Sequence, residues 1–512
     1  FEKFGSVEKV PEDLRADVAR QVRENPYRLI ELVDGIGFVR ADEIAHRLGI
    51  GHESPDRARA GIIHVLQEAS GKLGHCYLPQ DELLSAAREL LYQHHGAPSH
   101  EFLPKNLEVL AQEGRIAIED GATSPTTGER VFLAGLHHAE QAVASKLRAL
   151  HDRGPMPSRA PDLSATDFDW LTPDQQTAVA MALTEPLSVI TGLPGTGKTS
   201  ILKAVVKAAL AAGLTVELAA PTGKAAKRMT QQIGRDARTI HRLLEYHPEL
   251  GFRRNASNPI EADLIVLDES SMLDVALAWN LMRAVETGSQ RPSSLLLVGD
   301  TAQLPSVGPG AVLGDVIASR VCPVVRLTKI LRQDEAGGIV LNAHRINAGG
   351  MPEGEEGDTA EFHLVVEDNP REIARRVVGI AKQEPRAFGL DPSRALQVLC
   401  PMKNGVIGTK ELGVAVSRAL NPHGAEIRGL DFRVGDRVIQ MRNDYKQLAF
   451  DEPVRDALGA LPERYAVAKK TARERLFEEI ERTARGRAWL GVFNGETGVV
   501  QRHDESVGVV WV

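Results

Sequence analysis

The segment Gly192-Leu193-Pro194-Gly195-Thr196-Gly197-Lys198-Thr199 limits what this chain can fold into more than any other stretch. It has the form G-x-x-x-x-G-K-[ST], and its flanks are those the pattern needs. The apolar run LSVIT before it reads as a buried strand, and SILKAVVKAALAAG after it reads as a helix. Glycines let backbone N–H groups turn inward around an anion, and the first helical turn adds N–H groups and the positive end of its dipole. Gly192, Pro194, Gly195, Thr196 and Gly197 are thus expected to cradle phosphate. Lys198 would place a point charge at the β- and γ-phosphates. Thr199, followed by Ser200, would offer a hydroxyl to Mg2+.

The loop sits in a series. From Leu187 the apolar runs LSVIT, TVELAA, LIVLDE and SLLLVGD alternate with helical stretches, which predicts an α/β fold with a mostly parallel sheet and helices on both faces. Two of these strands end in polar groups. LIVL runs into Asp268 and Glu269, roughly 70 residues past the loop, where Asp268 suits the Mg2+ shell and Glu269 suits orienting or deprotonating an attacking water. SLLLVG runs into Asp300-Thr301-Ala302-Gln303. In a parallel sheet that strand lies beside the previous one, and Gln303 would reach the γ-phosphate and register its loss. These residues support ATP hydrolysis with Mg2+. They do not say what the energy is used for.

Composition narrows the class. The 512 residues suffice for three or four domains, and 43% hydrophobic with 25% charged residues is ordinary for globular protein. No apolar run approaches the ~18–20 residues of a membrane span, so no membrane partner is expected. Cys76, Cys322 and Cys400 share no metal-ligand spacing and fit a reducing compartment. A net charge of -8 and a pI near 6.1 exclude a generally basic nucleic-acid coat but not a locally basic channel. The start on Phe1 suggests upstream sequence.

Residues 1–75 read as short helices around the Gly35-Ile36-Gly37 turn, which fits either phosphate approach or tight helix packing. The 11 Lys and Arg against 13 Asp and Glu there give no electrostatic footprint. In 76–155 the helical DELLSAAREL and LPKNLEVLAQEG precede RIAIED and RVFLAGL, the outline of a winged helix or of a generic helical domain. Prolines 155, 157, 161 and 173 mark the main boundary. YHPELGFRRNASNPIEAD (246–263) has the turn chemistry of a small hairpin, whose Arg253 and Arg254 fit either DNA phosphate or a solvated surface. After residue 345, FHLVV (362–366) and ALQVLCP (395–401) are strand candidates of a second α/β unit. Short β-segments follow from Asp431, interrupted by a charged, partly helical stretch over 451–487.

GLPGTGKTS, APTGKAAKRM (220–229), TIHRLL (239–244), LDESSML, GDTAQLPSVGPG and LTKILRQ (327–333) occur in the order seen in superfamily-one DNA helicases, and the chain most resembles the RecD branch. The likeness is strong over 165–345 and continues through LCPMKNGVIGT, GDRVIQMRNDY and VFNGETG. DGIGFVRADEIAHRLGI is similar to the helix-hairpin-helix region of stand-alone RecD-like helicases. The resemblance implies two RecA-like P-loop domains. It divides the chain into a helix-hairpin-helix-like region (1–75), a winged-helix-like region (76–155) and a first motor domain (165–345). A second, incomplete motor domain (346–430) and an SH3-like β-domain (431–512) with an insertion at 446–490 follow. It implies that Gln175 in LTPDQQ reads adenine. Pro221, Thr222, Gly223, Lys224, Thr239 and His241 would lie along single-stranded DNA, although His241 could equally cap its helix. Arg332 would reach the γ-phosphate, and the hairpin at 246–263 would split the duplex. Translocation from 5′ to 3′ on single-stranded DNA and at single-strand/duplex junctions, by a cytoplasmic, bacterial-type monomer in repair or recombination, is implied as well.

Two departures stand out. Roughly forty residues separate the segments like MRNDY and VFNGE, which the family runs together. After VFNGETG neither the DNA-gripping segment nor the arginine-finger segment of the family appears before Val512, so this chain is expected to bind nucleotide, hydrolyse it poorly and not unwind DNA. The nearest alternative is a RecD subunit of a recombination nuclease complex, disfavoured by residues 1–150. A relaxase-linked conjugative helicase lacks its paired-histidine cluster and tyrosine segment here. A DNA-binding module with a vestigial ATPase is the remaining class.

Overall fold

The computed structural model describes the chain apart from residues 1–19, 21, 33–35, 94–95, 97, 100, 122–127, 157–158, 162–167, 194, 248–249, 287–291, 328–336, 355–360, 388–394, 428–429, 441–443, 451–487, 493–496, 501, 505–508 and 512. Two compact units result, one of residues 1–221 with 228–331, the other of 222–227 with 332–512.

After the short helical turns Pro26–Arg28 and Leu29–Leu32, the first unit continues with α1 (Phe38–Arg47) and α2 (Pro55–Leu73). Gly37 stands at the α1 N-cap in extended conformation, and Gly35 lies outside the described residues. Ser54 caps α2 by accepting the Arg57 N–H, Pro55 opens it, and Gly74 ends it at φ 74°, in the left-handed region where a Cβ is disfavoured. Next come β1 (Tyr77–Pro79), α3 (Gln80–Gln93), α4 (Phe102–Gln112), β2 (Ile116–Glu119) and β3 (Arg130–Leu133). The strands form an antiparallel sheet in the order β1-β3-β2. The expected division at residue 75 does not separate two cores. Tyr27, Phe38, Ile62, Leu83, Leu110 and Val131 share one buried cluster, because α2 packs on α3 and α4 instead of closing a region of its own.

The motor fold starts earlier than the proline-rich stretch suggests. Helix α5 (Ala134–His151) buries Ala139, Val143, Leu147 and Leu150 against the central sheet. Beyond it are α6 (Pro173–Thr184), β4 (Leu187–Gly192), α7 (Lys198–Ala211), β5 (Val216–Ala220), α8 (Gly223–Ile233) and β6 (Arg238–Thr239). A small hairpin of β7 (Tyr246–His247) and β8 (Gly251–Phe252) leads to β9 (Leu264–Leu267), α9 (Val275–Ala284), β10 (Ser294–Gly299), α10 (Val312–Ser319) and β11 (Val324–Leu327). The sheet order is β11-β4-β10-β9-β5-β6, parallel at every pairing. All four strands read from the sequence are there, and β10 lies beside β9. Alternation sends Val189, Ile265 and Leu297 to the face covered by α5, α9 and α10, and Ile190, Val266 and Leu296 to the face covered by α6 and α7. Both faces are dry, so strand positions are apolar without interruption. Each fully buried Val, Leu or Ile contributes roughly 1.5–3 kcal/mol.

In the second unit, α11 (Gly338–Asn347), α12 (Pro370–Ala387) and α13 (Thr409–Leu420) precede the β-segments. The expected strands FHLVV and ALQVLCP are not formed: 362–366 and 396–400 lie in no described ladder, and Val366 and Leu399 are 82% and 87% exposed. A strand needs a neighbouring backbone to complete its hydrogen bonds, and no described residue supplies one. Strands β12 (Arg437–Ile439), β13 (Asp444–Phe450), β14 (Ala488–Val492), β15 (Thr497–Val499), β16 (Arg502–Asp504) and β17 (Val509–Trp511) pair antiparallel as β12–β15, β13–β14 and β16–β17. The ends of the expected 446–490 insertion are therefore a β-ribbon; its charged centre lies outside the described residues. Buried Asp436 ties this part to α13, accepting from Ser417 Oγ, Asn421 Nδ2 and the Arg433 N–H, each at 2.8 Å.

Candidate nucleotide site

The turn from β4 to α7 is built by glycine. Gly195 and Gly197 take φ of 83° and 84°, conformations a side chain resists. Gly192 has no room for a methyl group, since a Cβ would stand 2.8 Å from both the Leu327 carbonyl and Thr196 Oγ1. Thr196 Oγ1 donates to the Leu193 carbonyl at 2.8 Å, which pins the loop from inside. Gly197 is the N-cap of α7 and makes no side-chain cap bond, which leaves the first-turn N–H groups to an anion. Lys198 Nζ donates to the carbonyls of Gly192 and, at 3.2 Å, Leu193, holding its charge within the loop. Thr199 and Ser200 follow on the same turn. Pro194 lies outside the described residues.

Three carboxylates gather around that charge. Burial pulls the Lys198 pKa below the ordinary lysine value, while Asp300, Glu269 and Asp268 pull it up. Asp268 follows β9. Burial raises its pKa, Glu269 adds to the rise by its charge, and the Glu269 N–H, donated at 2.9 Å to Asp268 Oδ1, opposes it together with Lys198 and Arg228. Glu269 stands at φ 53°, ψ 37°, an uncommon left-handed backbone for a glutamate that costs on the order of 1–2 kcal/mol. The turn redirects the chain off β9 into the Ser270–Met272 turn, and Ser270 Oγ braces it on the Leu267 carbonyl at 2.8 Å. At the end of β10, Asp300 is 2% exposed, and it accepts from the Ala302 N–H and, at 3.4 Å, from Gln303 Nε2.

A hydroxyl and a desolvated carboxylate are hard oxygen donors of the kind Mg2+ takes, and Mg2+ needs only one or two of them besides substrate phosphates and waters. Thr199 and Asp268 fit it, and the ion would neutralise phosphate charge. Since the folded state holds the Asp268 proton more tightly than the unfolded chain does, stability is lost as pH rises from the ordinary aspartate range through the raised value. Asp268→Asn is therefore expected to raise the melting temperature of the nucleotide-free chain at neutral pH while weakening Mg2+-dependent nucleotide binding, both measurable by thermal melts with and without Mg2+ and ATP. A lower melting temperature for the variant would contradict the desolvation argument.

The remaining sequence-predicted residues have varied surroundings. Gln175 is 2% exposed and forms a capping box for α6: its Oε1 accepts the Thr172 N–H at 3.1 Å, and its own N–H donates to Thr172 Oγ1. Thr239 is an N-cap whose Oγ1 accepts the Arg242 N–H at 3.2 Å. Half-buried His241 packs against the rings of Tyr246 and Phe252, joining that turn to the base of the β7–β8 hairpin, and burial lowers its pKa. Arg254 is engaged with Glu245 at 2.8 Å and with the Pro259 carbonyl, so it shapes the hairpin, whereas Arg253 is exposed. Pro221 belongs to the first unit. Thr222, Gly223 and Lys224 belong to the second, where Thr222 Oγ1 accepts the Ala225 N–H. Arg332 lies outside the described residues. Asp300 and Arg228 were not singled out in the sequence; a carboxylate directly after SLLLVG was the available signal for the first, and Arg228 is one of several cations on α8 with nothing to distinguish it.

A glycine-shaped turn between strand and helix, its lysine set among carboxylates from two neighbouring parallel strands, defines a P-loop nucleotide-binding protein of the RecA-like kind. Residues 4–77 match the family model for the ATP-dependent RecD2 DNA helicase HHH domain, and residues 170–363 match an AAA domain model. The chain is similar to the RecD-like superfamily-one helicases, and it spans about three fifths of the length of the first such relative. It is 34% identical over 453 residues to the ATP-dependent RecD2 DNA helicase of Deinococcus radiodurans, covering 85% of this chain and 59% of that protein. To the RecBCD enzyme subunit RecD of Mycobacterium tuberculosis it is 38% identical over 204 residues, 35% of this chain and 34% of that one. Among solved structures the Pif1 helicase from Candida albicans aligns over 66% of this chain and 82% of that one, at 18% identity and a TM-score of 0.32.

Proposed function

We propose that this chain is the motor portion of an ATP-dependent DNA helicase, acting 5′ to 3′ on single-stranded DNA in repair or recombination. The observation that carries the reading is the placement of Lys198 among Asp268, Glu269 and Asp300 at the ends of adjacent parallel strands. Lys198 and the α7 N-terminus hold the triphosphate, Thr199 and Asp268 hold Mg2+, Glu269 orients or deprotonates the water, and Gln303 follows the γ-phosphate. Arg332 supplies a cation to the γ-phosphate, and residues 346–430 are read as a second RecA-like domain. Pro221–Lys224 with His241 line the strand of DNA, and phosphate-directed contacts there make binding salt-dependent and sequence-independent. The match of residues 4–77 to the RecD2-type region favours a stand-alone monomer in the bacterial cytoplasm over a RecD subunit.

A motor must bind its track differently in different nucleotide states, since equal affinities shift no equilibrium. The affinity for a fluorescent oligothymidylate, measured by anisotropy, is expected to differ roughly tenfold between a non-hydrolysable ATP analogue and ADP. Equal affinities in both states would remove the motor reading and leave the vestigial-ATPase binder. Strand displacement by a downstream-extended version from 3′-tailed but not 5′-tailed duplexes would reverse the polarity.

A further inference from the structure

The loop joining β10 to α10 carries Gln303 and ends in Ser306-Val307-Gly308-Pro309-Gly310. Its tip residues Leu304 and Val307 are 87% and 86% exposed, so the tip has little packing of its own. Its second half is held from two sides. The Pro309 carbonyl accepts the Val275 N–H at 2.9 Å, and the Gly310 N–H donates to the Gly74 carbonyl at 3.0 Å. Among the described residues these are the two backbone bonds from 306–310 to the rest of the first unit. Ser306 Oγ lies 2.8 Å from the Gly308 carbonyl and 2.7 Å from the Gly310 carbonyl and shares its proton between them. Neither glycine leaves slack. A Cβ on Gly308 would stand 2.8 Å from Asp274 Cγ; one on Gly310, at φ 95°, would meet Val275 and come 3.1 Å from Cys76 Sγ.

One wall of this seat is therefore Asp274 and Val275, just beyond the Asp268-Glu269 turn. The other is Gly74–Cys76, the turn that leaves α2. That helix is about 28 Å long, and its first turn carries the buried Arg57–Asp42 pair, so Gly74 and Cys76 are presented by a rigid rod. We infer that the Gly74–Cys76 turn is a positioning element for the loop that carries Gln303, holding residues 306–310 so that Asp300 and Gln303 respond to nucleotide in one register. The inference rests on the nucleotide-motor reading above and adds the N-terminal region to the nucleotide response.

Amide hydrogen exchange over residues 300–310, with and without Mg2+ and a non-hydrolysable ATP analogue, tests it alongside binding of a fluorescent ATP analogue. The unaltered chain is expected to show exchange of 300–305 slowed by nucleotide, and a Gly310 amide exchanging at least ~tenfold more slowly than that of Val307. Cys76→Phe, which intrudes on Gly310, is expected to erase the nucleotide-induced slowing while the nucleotide Kd stays within about twofold, since Cys76 is no part of the loop around Lys198. Cys76→Ser, of similar size, is expected to restore the response. Retention of the full slowing in Cys76→Phe would overturn the inference. Should that variant not fold, a Gly310 amide in the unaltered chain that exchanges as fast as that of Val307 would overturn it just as well. Failure of the unaltered chain to bind the nucleotide analogue would instead bring down the motor reading.

Discussion

Lys198→Ala is expected to weaken Mg2+-ATP binding roughly 10- to 100-fold, the scale of losing a charge-assisted bond of about 1.5–3 kcal/mol. Hydrolysis is expected to fall further, because the lysine also meets charge that develops in the transition state. A second effect acts in the same direction. Lys198 is a cation shared by Asp268, Glu269 and Asp300, and its charge helps to keep Asp268 ionised. Without it the carboxylates repel one another, the Asp268 proton is held more firmly, and Mg2+ must displace it. The loss of affinity should therefore grow as pH is lowered, beyond what the unaltered chain shows. Titration calorimetry at two pH values measures both parts. Nucleotide affinity changed by less than twofold would mean that the loop does not hold phosphate.

The largest expected effect on stability lies far from the nucleotide. Arg57 and Asp42 are each 2% exposed and meet in a bidentate pair, Nε to Oδ1 at 2.8 Å and Nη2 to Oδ2 at 3.0 Å. The guanidinium also donates to the carbonyls of Leu91 and Gly96, and the Tyr27 hydroxyl donates to Asp42 Oδ1 at 2.6 Å. Burial and that carboxylate push the Tyr27 hydroxyl pKa upward, so the phenol stays a donor. Asp42→Ala leaves a buried guanidinium without its carboxylate and is expected to destabilise the N-terminal region by about 3–5 kcal/mol. Replacing both partners, as Asp42→Leu with Arg57→Met, is expected to recover much of that, because no charge is then buried alone. Urea unfolding of the whole chain, with exchange of the α1–α4 amides as a local readout, separates the cases. A loss below about 1 kcal/mol in Asp42→Ala would show that water reaches the pair.

How much could be read in advance depended on whether the physics was local. Strands β4, β5, β9 and β10 announced themselves because a parallel sheet dry on both faces demands unbroken Val, Leu and Ile, and few other arrangements produce that pattern beside a glycine-rich turn. The places of Asp268, Glu269 and Gln303 after strands, and of Lys198 at the start of α7, were legible because chain order sets them. FHLVV was misread for a related reason. An apolar run reports a tendency to be covered, whereas a strand also requires a second backbone, and local sequence cannot name that partner. Gln175 shows the same limit at the scale of one side chain: LTPDQQ is equally the signature of a capping box, and in the structure its Oε1 closes that box.

By itself, then, the amino-acid order determined the glycine-rich loop, the alternation of strand and helix, and the carboxylates that follow β9 and β10. These follow from backbone conformation and from side-chain periodicity, which act over a few residues. Only the tertiary structure decided that residues 27–133 share one core, that α5 belongs to the motor sheet, and that Gly74 meets Gly310. Such contacts join residues far apart in the chain, and they exist because packing leaves no room for alternatives, a property of volume and shape that no short stretch of sequence contains.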